Sequence, residues 1–242
     1  MRSLQLVKYD LISIIKSYLT YVAIALVGGL FGLVSYLFMK NTHKVHYESL
    51  IPMINWALLF VGTLFVIKTI TRDYSQGTIQ LYMNRVSSRI GYVMAKVISI
   101  ILIALIFAGV AYISMLLIQA FTKGDKLDGD IFLKNIWFYV IFLLFYGLVL
   151  FLLTLIVQKP AVIFTIGIFL IFIVPFIDPF LGLIPEWGEH IQDAMKYIPF
   201  SYLTKKELNS NIEFTNWQWF ISIASIVVLF VTTLFYATKR DI

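Results

Sequence analysis

The chain has 242 residues, of which 60% are hydrophobic and only 13% charged, with a formal net charge of +6 and a mean hydropathy of +0.90. Soluble domains average about 45–50% apolar and about 25% charged residues, so this composition excludes an ordinary soluble fold and makes lipid the solvent. There is no cysteine, which excludes disulfides and thiolate metal sites, and a membrane surface accounts for the excess of basic residues without nucleic acid.

At the N-terminus, MRSLQLVKYDLISIIKSY places Leu4, Val7, Leu11, Ile14 and Ile15 on one helical face, with Lys8 and Lys16 off it. That pattern predicts an amphipathic helix over 1–18 lying on the membrane surface before the first span. The segment lacks the short apolar core and small-residue cleavage site of a secretory signal.

A spanning helix takes roughly 20 apolar residues to cross about 30 Å of hydrocarbon. Six segments qualify, near 19–39, 51–71, 96–121, 135–157, 161–177 and 217–237. Only a short turn separates the fourth from the fifth, and Pro160 suits the first position of the fifth helix. With both termini in the cytoplasm, the inner flanks carry 11 of the 19 basic residues, every arginine among them, and the outer segments carry most of the acids, Glu207 and Glu213 among them. That is the distribution of a multi-pass protein of the cell membrane. Residues 72–95 are then cytoplasmic and 178–216 extracellular, with a short amphipathic helix expected within EWGEHIQDAMKYI as part of a cap. The expected fold class is an all-α polytopic membrane protein, one transmembrane domain over 1–242.

The spans lack the interior ionisable groups that ion-driven carriers use. Lys68 and Lys96 stand at span ends, where their ammonium groups can reach the interface, and Asn55 and Gln119 read as interhelical contacts. His43, His46 and Glu48 in HKVHYE lack a convincing further metal ligand, so a solvated loop is the better reading. No Gly-rich phosphate loop and no hydrolase motif occurs. The chain is expected to be no enzyme and to bind no cofactor or metal.

The polar turn TRDYSQGTIQLYMNRVSSRIGYVMAK, 71–96, is therefore the most informative stretch. Ile79, Tyr82, Met83 and Val86 recur at helical spacing, which predicts a short lateral helix around 78–85. Ser87 and Ser88 are N-cap types for the next helix, Gly77 permits a tight backbone, and Arg85 and Arg89 offer planar donors to carboxylates of a partner. The residues alone leave open a docking knob or a positively charged anchor on lipid headgroups.

The same stretch resembles type-2 ABC exporter permeases, which carry an acidic residue, Gly-Thr, Leu, Pro-x-Ser-Arg and a Lys at the start of the third span. The matching positions are Asp73, Gly77, Thr78, Leu81, Ser88, Arg89 and Lys96. Asp73 stands where Glu is usual and Val86 where the proline is expected, which leaves the path of the turn open. The resemblance covers the N-terminal helix, the six spans and the long segment before the sixth, where MKYIPFSYL is similar to a closing Pro-x-x-Tyr pattern.

That resemblance implies a coupling element, with Arg85 among its residues, seated on a separate cytoplasmic ABC ATPase. Two ATPase copies would supply ATP and Mg, and a second permease copy or a sister permease would complete the pore. It further implies a substrate path between spans two and five, here Asn55, Trp56, Phe60, Phe169, Phe172 and Phe176, although any one of these aromatics also reads as lipid-facing packing. Walls so poor in charge suit an apolar or amphipathic cargo. The overall likeness is to small permeases of Gram-positive bacteria that export amphipathic peptides, the phenol-soluble modulins among them. The competing reading is a membrane scaffold or sensor-accessory protein that recruits a cytoplasmic partner without transport.

Overall fold

A computed structural model describes residues 3–40, 47–83, 86–121, 129–172 and 188–239. These are α1 (Ser3–Ile15), α2 (Tyr18–Lys40), α3 (Tyr47–Ser75), α4 (Ile79–Met83), α5 (Val86–Phe121), α6 (Ile131–Val157), α7 (Pro160–Phe172), α8 (Gly188–Met195), α9 (Pro199–Glu207) and α10 (Asn216–Lys239). No strand occurs among the described residues.

Five of these helices, α2, α3, α5, α6 and α10, are long and apolar enough to cross a membrane. This is a polytopic membrane protein. The sequence placed a further span at 161–177. Its described part, α7, has 13 residues, about 20 Å at 1.5 Å per residue, and 173–177 lie outside the described residues.

Helix α6 is the axis of the fold. It packs on α3, α5, α7 and α10 and buries Phe138, Tyr139, Phe142, Tyr146 and Phe151 completely. Two glycines let neighbours close on the core. A Cβ on Gly167 would meet Ile67 Cδ1 at 2.4 Å, and one on Gly147 would meet Val66 and Ile100 at 3.1 Å. Helix α2 is the loosest member. An apolar cleft of about 540 Å³ separates it from α3 and α5, lined by Val27, Gly28, Phe31, Gly32, Phe65 and Phe107 among others.

The end of α3 and the start of α5 differ from the sequence reading. Helix α3 runs on to Ser75, and α5 begins at Val86, ten residues before the expected start of the third span. Ser88 therefore lies inside the first turn of α5 rather than capping it. Good intrahelical geometry continues through Ser and Arg because propensity costs there are only a few tenths of a kcal/mol per residue. Helix α1 buries Leu6, Val7 and Asp10, while Leu4 and Ile15 are 73% and 66% exposed. Of the expected apolar stripe, Val7 is buried and Leu11 and Ile14 pack against the core, and Asp10 turns inward beside them.

Candidate functional site: the turn between α3 and α5

Helix α3 ends at Ser75, and Gly77 lies just beyond it. The Gly77 φ of +67° is left-handed, a conformation that costs an L-residue with a Cβ but not glycine. The Gly77 N–H donates to the Tyr74 carbonyl at 3.2 Å and the Thr78 N–H to the Asp73 carbonyl at 2.9 Å. These two bonds make a Schellman ending, which satisfies carbonyls that the helix leaves open. Thr78 then accepts from the Leu81 N–H at 3.1 Å and opens α4.

Helix α4 is a knob. Ile79 is buried beneath it, Tyr82 stacks on Tyr92 of α5 with ring centroids 5.6 Å apart, and Leu81 at its tip is 71% exposed. The expected lateral helix is therefore present at Ile79–Met83. Arg85, assigned a docking role from the sequence, lies outside the described residues.

Beneath the knob sit four charges. Lys96 Nζ approaches Asp73 Oδ2 at 2.7 Å, Asp10 Oδ1 at 3.0 Å and Oδ2 at 3.2 Å, and donates to the Thr69 carbonyl at 2.8 Å. Arg72 Nη2 lies 2.9 Å from Asp10 Oδ1 and 3.2 Å from Asp73 Oδ1. Tyr92 donates to Asp73 Oδ2 at 3.0 Å, and Ser99 to Asp10 Oδ2 at 2.9 Å. Asp10, Asp73 and Lys96 are all buried.

Two carboxylates and two cations balance, and all are hydrogen-bonded, as burial of charge demands. Burial pushes the Asp10 carboxyl upward, while Lys96 and Arg72 beside it pull the other way. The cluster ties α1, α3 and α5 at one point.

This arrangement corrects the reading of Lys96 as a side chain reaching for the interface. It turns inward instead. Asp73 and Lys96 brace the knob from within and present nothing to a partner. Arg89 also has an internal bond, since its Nη1 donates to the Thr238 carbonyl at 3.0 Å near the end of α10. Helix C-terminal carbonyls attract cations in this way. Ser88 is half-buried beside it.

Asp10 was the residue the sequence reading missed. Its signal was position. It falls three residues after Val7 and four before Ile14, an acid on a face that buries apolar side chains.

The residues expected to line a path divide. Trp56 and Phe60 of α3 meet Phe172 of α7 edge-on, at 5.7 and 4.9 Å between centroids. Phe169 is 51% exposed, and Asn55 is fully buried on another side of α3, accepting from Tyr139 at 3.1 Å. Phe176 lies outside the described residues, as do His43 and His46. The segment before α10 also holds a surprise. Tyr202 of MKYIPFSYL ties α9 to α10 through Ser222 at 2.7 Å, and Glu207, counted from the sequence among the acids of the outer segment, is fully buried.

A family model described as "Protein of unknown function (DUF2705)" matches residues 33–242. No curated protein matches the chain.

Proposed function

The chain belongs to the DUF2705 family, and we propose that this member is the membrane subunit of an ATP-driven exporter, worked by a separate cytoplasmic ABC ATPase. One observation carries this reading. The α3–α5 turn is a braced knob with an exposed apolar tip, Leu81, fixed by the buried Asp10–Arg72–Asp73–Lys96 cluster to three helices. A load applied to such a knob moves those helices together, because a packed, charge-locked junction does not deform continuously. An anchor on lipid headgroups needs no such brace.

In this reading the knob faces the cytoplasm with both termini, α1 lies at the inner surface, and α7 with 173–177 forms the sixth span. Two copies, or this chain and a sister permease, enclose the path, and two ATPase subunits supply ATP and Mg. The apolar cleft beside α2 and the Trp56–Phe60–Phe172 cluster offer walls with little charge, suited to hydrophobic or amphipathic peptides. Phenol-soluble modulins are the specific cargo class to try.

Mild-detergent purification of the tagged chain from its native membrane, after crosslinking, tests the reading. It expects an ABC ATPase in near-stoichiometric amount, with turnover that responds to added amphipathic peptide. A cytoplasmic partner without ATPase activity would instead support a scaffold, and the coupling reading would fall.

A further inference from the structure

The α9 end of the bundle holds a second buried polar set that the coupling turn does not use. Glu207 is the last residue of α9. It is fully buried, and neither carboxyl oxygen has a hydrogen-bond partner. Helix α9 packs against α3 and α10. From α3 comes Asn55, with its Nδ2 unpartnered, and from α6 comes Asn135, fully buried with neither amide atom partnered. Asn135 stands one turn before Tyr139, on the same helix face, and Tyr139 donates to Asn55. Both Tyr139 and Tyr146 lie within electrostatic reach of Glu207.

Nearby charges are engaged elsewhere. Lys206 of α9 donates to the Glu213 carbonyl and lies over Phe214, and Lys134 of α6 pairs with the Glu213 carboxylate at 2.7 Å. Tyr202 occupies Ser222 of α10. No cation among the described residues acts on Glu207. Burial alone sets its protonation, and it holds the carboxyl well above the ordinary carboxylate range.

We propose that Glu207, Asn135 and Asn55 bind one monovalent metal cation between α3, α6 and α9. The available ligands are carboxylate and amide oxygens, the hard donors that alkali and alkaline-earth ions prefer. The Asn55 carbonyl keeps a second lone pair beside the Tyr139 bond. Charge then selects among these ions. A single carboxylate neutralises one positive charge, whereas a divalent ion would leave an unbalanced charge in apolar surroundings. The cation competes with a proton for the same carboxylate, so the site fills at high pH.

The test uses the full chain in lipid nanodiscs and no ATPase, so its outcome is separate from that of the coupling reading. Tryptophan-monitored thermal unfolding is recorded at about pH 8 in sodium, potassium or N-methylglucamine chloride at equal ionic strength. Sodium or potassium is expected to raise the midpoint saturably, with bound ²²Na or ⁸⁶Rb reaching one per chain. Glu207→Gln removes the cation dependence and remains folded, because it keeps the neutral shape of the protonated acid. Asn135→Ala raises the half-saturating concentration about tenfold, the scale of losing a supporting group at a metal site. Equal midpoints in all three salts, a larger effect from calcium, or an unchanged cation response in Glu207→Gln would each overturn the proposal.

Discussion

Asp10 and Lys96 are 86 residues apart in the chain and 3.0 Å apart in space. Their contact, with Asp73 on the other side of the ammonium, makes the first helix part of the turn's foundation. Removing one member of a buried, hydrogen-bonded set leaves an uncompensated charge, which typically costs about 3–5 kcal/mol. Lys96→Met is expected to lose about that much, since two carboxylates remain. Asp10→Asn in the same chain relieves part of the imbalance, so the double variant should be more stable than the sum of the singles. A double-mutant cycle by chemical unfolding in mixed micelles measures this. Simple additivity would mean that the two residues are not coupled.

Gly77 supports a second prediction. Nothing lies within 4 Å of a Cβ built on it, so only the backbone conformation resists substitution. Gly77→Ala is expected to cost about 1–2 kcal/mol, the penalty of a left-handed L-residue. Gly77→Asn costs less, because asparagine tolerates that region. Gly77→Val costs most and, under the proposed function, also uncouples export, since α4 loses its fixed exit from α3. The ranking of unfolding midpoints checks the first part, and peptide export from cells carrying the valine variant checks the second.

How much of this was legible follows from which rule each residue obeys. The spanning helices were readable because crossing lipid is a length rule, and α2 at Tyr18–Lys40 and α10 at Asn216–Lys239 nearly match the expected 19–39 and 217–237. The start of α5 was not readable. Ser87, Ser88 and Arg89 end the apolar run, but the helix keeps going because Tyr92 and Lys96 must reach Asp73. The knob's existence was visible in the spacing of Ile79 and Tyr82. The inward turn of Lys96 was not, because its partner Asp10 lies in a different helix. Glu207 sits in the polar run KKELNSN, which reads as solvated. Its neighbours Tyr202 and Leu203, both buried, were the only hint that α9 has an interior face.

Leu81 and Arg89 separate docking from stability. Leu81→Asp alters an exposed tip, and such changes typically stay within about 0.5 kcal/mol. The variant is expected to unfold like the parent and to lose the co-purifying ATPase. Arg89→Ala does the opposite to the fold. It removes a charged hydrogen bond to the Thr238 carbonyl, worth about 1.5–3 kcal/mol, and loosens the α5–α10 junction. Arg89→Glu adds repulsion against the negative end of α10. Retention of the ATPase by Leu81→Asp, in a chain that is folded, would remove the tip from the docking surface.

Glu207 sets the expected pH dependence when no alkali cation is present. Its folded pKa is raised well above the ordinary value of 4.5. Between the unfolded and the folded pKa the native state therefore binds more protons than the unfolded chain. Stability then falls as pH rises, with a slope of about 1.4 kcal/mol per pH unit for one proton difference. The contribution is fully present below the unfolded pKa and lost as pH climbs through the folded one. Unfolding midpoints in N-methylglucamine chloride should decline from about pH 5 upward, and Glu207→Gln should remove that part of the decline. A parent and variant with parallel pH profiles would show that the Glu207 carboxyl titrates alike in both states.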